Sequence, residues 1–113
     1  MDELFRSGNK EFEYPVLAVW KVCDLPEEVP CQAGFSVSKK FLKKAVDRNR
    51  VKRRMREAYR LQKTPLHEAL RNADKQVAVL FITVKTDNTS YDRLHGKILL
   101  TLQSIARKIE DSK

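Results

Sequence analysis

The chain has 113 residues and a formal net charge of +8, with 34% charged and 42% hydrophobic residues and only three glycines and four prolines. That length supports one domain around one modest core, and the composition excludes low-complexity and collagen-like chains. No apolar run approaches the roughly 18 residues of a membrane span, and MDELFRSGNKEFEY lacks the apolar stretch of a secretory signal, so a cytoplasmic protein without membrane contact is expected.

In chain order, Asp2–Gly8 reads as the tail of a helix closing at a glycine. It starts abruptly, which sets the expectation of an N-terminally truncated first helix. Lys10–Val22 turns to strand composition in two pieces, with Pro15 marking the break. DLPEEVP is a proline-bounded loop. CQAGFSVS is a strand whose alternation places Phe35 and Val37 on one face and Ser36 and Ser38 on the other. Cys23 and Cys31 read as ordinary semi-buried thiols of a reducing compartment; without a nearby pair of histidines they do not suggest zinc.

Next comes KKFLKKAVDRNRVKRRMREAYR. Eleven of the 23 Lys and Arg residues but two of the 15 Asp and Glu fall between Lys39 and Arg60, leaving the rest of the chain almost neutral. Val51, Met55, Ala58, Tyr59 and Gln62 recur at helical spacing as one stripe, and Arg48, Lys52, Arg53, Arg56 and Arg60 are expected opposite it. Like charges at these steps repel by a few tenths of a kcal/mol per pair. A solvated charged face is the usual fate of such a run, but this density in one element is the footprint expected for contact with a polyanion.

Thr64-Pro65 has the form of an N-cap and first helical residue opening a short helix. Gln76–Val84 is a continuous apolar strand, central or covered on both faces. A capping box from Thr89 to Asp92 opens the last helix, which buries Leu94, Ile98, Leu102, Ile105 and Ile109 and leaves Lys97, Arg107 and Lys108 in solvent. The order αβββαβα describes an α+β fold, a single sheet with packed helices, in one domain spanning residues 1–113.

No catalytic constellation is visible. The carboxylates are scattered, the glycines are too dispersed to cradle a phosphate, and His67 and His95 read as surface histidines on helices. Asn49, between two arginines, is either a helix-start residue bonding local backbone or a contact to a nucleotide or ion. The aromatics Phe5, Phe12, Tyr14, Trp20, Phe35, Phe41, Tyr59, Phe81 and Tyr91 are mostly core by default, and spacing alone does not pick the exceptions. A few near the basic helix or an exposed strand face would stack unpaired bases.

GFSVSKK leading into KAVDRNRVKRRMREAYR resembles the signature of the bacterial ribonuclease P protein subunit. That signature is a G-x-S-V-S-K-K strand end followed by a helix with A-V-x-R-N-R-[IV]-K-R-x-x-R-[EQ]-A-[FY]. It falls on Gly34, Ser36–Lys40 and Ala45–Tyr59, and ELFRSG and TSYDRL extend it across most of the chain. The resemblance implies a four-stranded sheet like that of the second domain of a small-subunit ribosomal protein, with a left-handed βαβ crossover. It implies an accessory subunit of an RNA-based endoribonuclease that removes the 5′ leader of precursor tRNA. Mg²⁺ would be held mainly by the RNA subunit and no catalytic residue would lie in the protein. The implied partners are the ribonuclease P RNA and precursor tRNA, with no obligatory protein partner.

Carried over by position, Arg48, Asn49, Arg50, Lys52, Arg53, Arg56 and Arg60, with Lys43 and Lys44 before them, would face the RNA subunit. Phe5, Leu17, Val19, Ser36, Ser38, Lys39 and Lys40 would line the leader cleft. Three features differ from the family pattern. Met1 stands where another aromatic is usual, one turn before Phe5. The strand aromatic aligns onto Val19, with Trp20 one residue on and on the opposite face. KKFLKKAV is one residue longer than the commonest spacing. The competing reading is a ribosomal or other structured-RNA-binding protein of the same fold without an enzymatic role. A DNA-binding helix lacks its helix-turn-helix partner, and a self-sufficient nuclease lacks its cluster of acids.

Overall fold

Valine-rich and aromatic runs make the sheet, and helix formers with a single apolar stripe make the layer that covers it. The structure, a computed structural model, describes residues 8–26, 28–38, 43–83 and 91–111. In chain order these form β1 (Asn9–Glu13), β2 (Val16–Val22), β3 (Cys31–Val37), α1 (Ala45–Gln62), α2 (Thr64–Ala73), β4 (Val77–Thr83) and α3 (Tyr91–Asp111). The expected N-terminal helix, with Phe5, and the capping residue Thr89 lie outside the described residues.

The strand order is β1-β2-β4-β3. β1 and β2 are antiparallel, as are β2 and β4, whereas β3 and β4 are parallel and are joined through α1 and α2. β4 is therefore interior, as its unbroken apolar run requires, and β3 is an edge strand. Register sorts the side chains onto two faces. Val16, Ala18, Trp20, Val77, Val79, Phe81, Cys31 and Val37 join Met55, Ala58, Leu66, Leu70 and the predicted α3 stripe in one core. The other face carries the rows Phe12–Leu17–Ile82–Ser36 and Lys10–Val19–Leu80–Gly34.

Several expectations change. The crossover holds two helices that meet at Lys63, and Thr64 is the first residue of α2; Lys63 takes the N-cap position without a side-chain bond. The α2 stop is made by Asp74 in a left-handed conformation (φ 53°), with Lys75 N–H donating to Leu70 C=O at 2.9 Å. Neither histidine is a plain surface residue. His67 and His95 are half-buried, His67 Nε2 lies 2.9 Å from the Tyr59 hydroxyl, and the His95 carbonyl accepts from Gln62 at 2.9 Å. Phe12 and Tyr14 are not core: they are 57% and 44% exposed. Cys31 is buried and Cys23 half-buried, both as free thiols, and burial raises the Cys31 pKa. No helix among the described residues is long and apolar enough to cross a membrane.

Candidate nucleic-acid interface

α1 packs by its stripe, and the packing decides which cations remain on display. Met55 and Ala58 are fully buried, Val51 and Tyr59 partly so. Arg50, Arg53, Arg56 and Arg60 are exposed, as are Lys43, Lys44 and Asn49. Arg48 and Lys52, expected opposite the stripe, are instead half-buried. The Arg48 guanidinium turns back to donate to the Lys43 carbonyl at 2.6 Å, tying the incoming chain to the helix start. Asn49 lies inside α1, past its first turn, so the helix-start role does not apply to it.

Arg60 is paired with Glu57 on the next turn, its Nε donating to Oε2 at 3.1 Å and its Nη2 to the other carboxylate oxygen. That hydrogen bond holds the Glu57 carboxyl below the usual carboxylate range, and Arg60 accordingly presents a partly neutralised charge. The Arg56 guanidinium carbon lies 5.7 Å from the Phe35 ring centroid, a cation–π arrangement that fixes the side chain over β3. Arg50, Arg53 and Arg56 recur at three-residue steps as an exposed guanidinium row, suited to forked contact with phosphate oxygens.

The sheet face away from the helices carries the second group of candidate residues. Leu17 and Ser36 share one row across it, and Ser38 follows just beyond the end of β3, all half-buried. Val19 shares the face and is fully buried in the structure, unlike its half-buried neighbours Leu17 and Ser36. Trp20 points the other way, 4% exposed, its indole Nε1 donating to Glu11 Oε2 at 3.5 Å, so the aliphatic Val19 keeps the strand position. Phe5, Lys39 and Lys40 lie outside the described residues.

Sequence reasoning missed Phe12. It extends the Leu17–Ser36 row to the β1 edge and lies 6.4 Å, ring to ring, from Tyr14, over which the Arg93 guanidinium sits at 5.8 Å. Among the described strand residues this face carries Lys10 and Lys21 and no carboxylate, because Glu11 and Glu13 fall on the helix side. The available signal is the alternation KEFEY itself, taken with the opposite face inward. No three His, Cys, Asp or Glu side chains gather among the described residues as metal ligands would.

A basic helix, together with a sheet face that has no carboxylate among its described strand residues and bears an exposed aromatic, fits the class of small α+β nucleic-acid-binding proteins. The family model described as Ribonuclease P matches residues 1–106. The ribonuclease P protein component of Chlorobium phaeobacteroides is 37% identical over 112 aligned residues, covering 90% of this chain and 77% of the relative. That of Porphyromonas gingivalis is 29% identical, covering 99% and 82%. That of Chlorobaculum tepidum is 48% identical over 58 residues, spanning 38% of the relative's length. Among solved structures, the RNase P protein from Thermotoga maritima superposes with a TM-score of 0.73 at 21% identity, over 91% of this chain and 88% of that one. The Staphylococcus aureus RNase P protein gives 0.60 at 21% identity, over 95% and 85%. The chain belongs to the ribonuclease P protein family, the protein components of the endoribonuclease that processes tRNA.

Proposed function

We propose that α1 docks on the ribonuclease P RNA and that the outer sheet face holds the single-stranded 5′ leader of precursor tRNA. The observation that carries this reading is the pairing of an exposed guanidinium row, Arg50, Arg53 and Arg56, with a separate sheet face free of carboxylates among its described strand residues. A structured RNA needs many phosphate contacts, which the arginine row supplies. A flexible leader needs cations along its backbone and flat apolar surface under its bases; Lys10, Lys21, Leu17 and Phe12 offer both.

In this reading the protein acts by positioning. Mg²⁺ is held by the RNA subunit in this reading, and no step is assigned to an ion on this chain. Phe5, Lys39 and Lys40 are further proposed leader contacts, together with Ser36 and Ser38. Ser36→Asp tests the reading by placing a carboxylate in the acid-free row. Reconstituted with a bacterial ribonuclease P RNA, the variant should bind precursor tRNA about 5-fold or more weakly, a loss of roughly 1 kcal/mol. It should bind mature tRNA, which has no leader, as the parent does. Equal losses for both would place the leader elsewhere.

A further inference from the structure

On the helix side of β3, at the edge of the sheet, lies an open groove of about 590 Å³, within the range of roughly 300–1,000 Å³ common for ligand clefts. It is separate from the leader face, since Phe35, which lines it, is one residue from Ser36 and points to the opposite side. Phe35 and Tyr59 meet edge-on at 6.0 Å, and Phe35 stacks on the buried Phe81 at 5.6 Å, which holds the aromatic wall rigid. Arg56 lies over Phe35, and Lys63 and Arg71 complete the cationic side, with the His67 imidazole also in the lining. Arg60 also lines the groove but is paired with Glu57; among the described residues Glu28, from the loop before β3, is the single carboxylate in the lining.

The positive field is felt inside the groove. His67 is held below its ordinary pKa first by burial and then by the charges of Lys63 and Arg71, and it packs against a Tyr59 hydroxyl that burial and the neighbouring Cys31 keep protonated. The cations Lys63 and Arg71 suit an anion, and they lie next to a flat aromatic and guanidinium surface on which a base can stack.

We propose that this groove receives an unpaired nucleotide of the RNA partner, the base against Phe35, Tyr59 and Arg56 and the phosphate on Lys63 and Arg71. The proposal rests on the reading that the partner is RNA and is independent of where the leader lies. It gives the crossover helices a second contact, at the opposite sheet edge from Phe12.

The test is a nuclear magnetic resonance titration of the full chain with single-stranded hexa-adenylate RNA, following the His67 ring, the Phe35 ring and the α1 amides. Bound phosphate should neutralise Lys63 and Arg71 and raise the His67 midpoint by about half a pH unit or more, with Phe35 ring resonances shifting in parallel. In Lys63→Gln/Arg71→Gln, RNA should no longer move His67, while the amides of Arg50 and Arg53 respond as in the parent. Shifts at Arg50 and Arg53 with His67 and Phe35 unmoved would overturn the groove and leave the RNA reading intact; no shift anywhere would overturn both. Inorganic phosphate alone giving the full response, or a hexaglutamate peptide giving a larger one with protection of β3 amides, would also overturn a nucleotide as the occupant.

Discussion

The ammonium of Lys108, in the last turn of α3, lies 2.7 Å from Oε2 of Glu11 in β1, joining positions 97 residues apart. The same carboxylate oxygen accepts from the indole of Trp20, and Glu11 is only 8% exposed. A buried acid is thus held between an aromatic of the sheet and a cation of the closing helix. Removing it by Glu11→Ala leaves the indole N–H without this acceptor and should cost about 1–3 kcal/mol. Glu11→Gln, which keeps an acceptor for Trp20, should cost less. Urea unfolding of the two variants measures the difference, and equal losses would mean the ion pair, not the indole bond, carries the contribution.

Met55 and Ile98 are both fully buried where α1 and α3 face the core. The Thr83 hydroxyl also lies 3.0 Å from the Met55 sulfur. Met55→Ala and Ile98→Ala should each lose about 2–5 kcal/mol in chemical denaturation. Parent-like stability in both would contradict the packing of both helices.

His67 makes stability depend on pH. Folding lowers its pKa from the ordinary 6.5 through burial and the charges of Lys63 and Arg71. The unfolded chain therefore binds more protons in the window between the lowered value and 6.5, so stability rises with pH through it and is lost as pH falls. Thermal melts between pH 5 and 8 should show this loss in the parent and a flatter profile in His67→Gln. A parent that gains stability on acidification through this window would reverse the account.

Replacing Arg53 and Arg56 by Ala should weaken association with ribonuclease P RNA. It should also lower the slope of log K against log salt by about 0.7–0.9 for each phosphate that the variant no longer neutralises. Binding measured at several salt concentrations separates this from a folding defect, which would weaken binding without changing the slope.

How much of this is legible in the sequence differs by element. The α3 stripe and the interior position of β4 follow from apolar spacing and run length, and the structure has both. The α1 stripe also holds, but Arg48 leaves the exposed side to donate to the Lys43 carbonyl of the chain entering the helix, and Lys52 is half-buried as well. β1 is the reverse of what its local pattern suggests. In KEFEY the aromatics look like the core and the acids like the surface, yet Glu11 goes inward because Trp20 and Lys108, distant in sequence, can satisfy it. Val19 shows a subtler limit: alternation places it on the right face, but whether that side chain stays accessible depends on packing that no local pattern encodes.

The central claim, that this chain supports an RNA catalyst and has no cleavage chemistry of its own, is tested most directly by reconstitution. Purified protein, a bacterial ribonuclease P RNA and labelled precursor tRNA are combined singly and together at low Mg²⁺. The protein alone should leave the substrate intact, the RNA alone should cut slowly or not at all, and the two together should release the 5′ leader at the mature end. Cleavage by the protein alone, or no rescue of the RNA by a folded protein that binds it, would contradict the account.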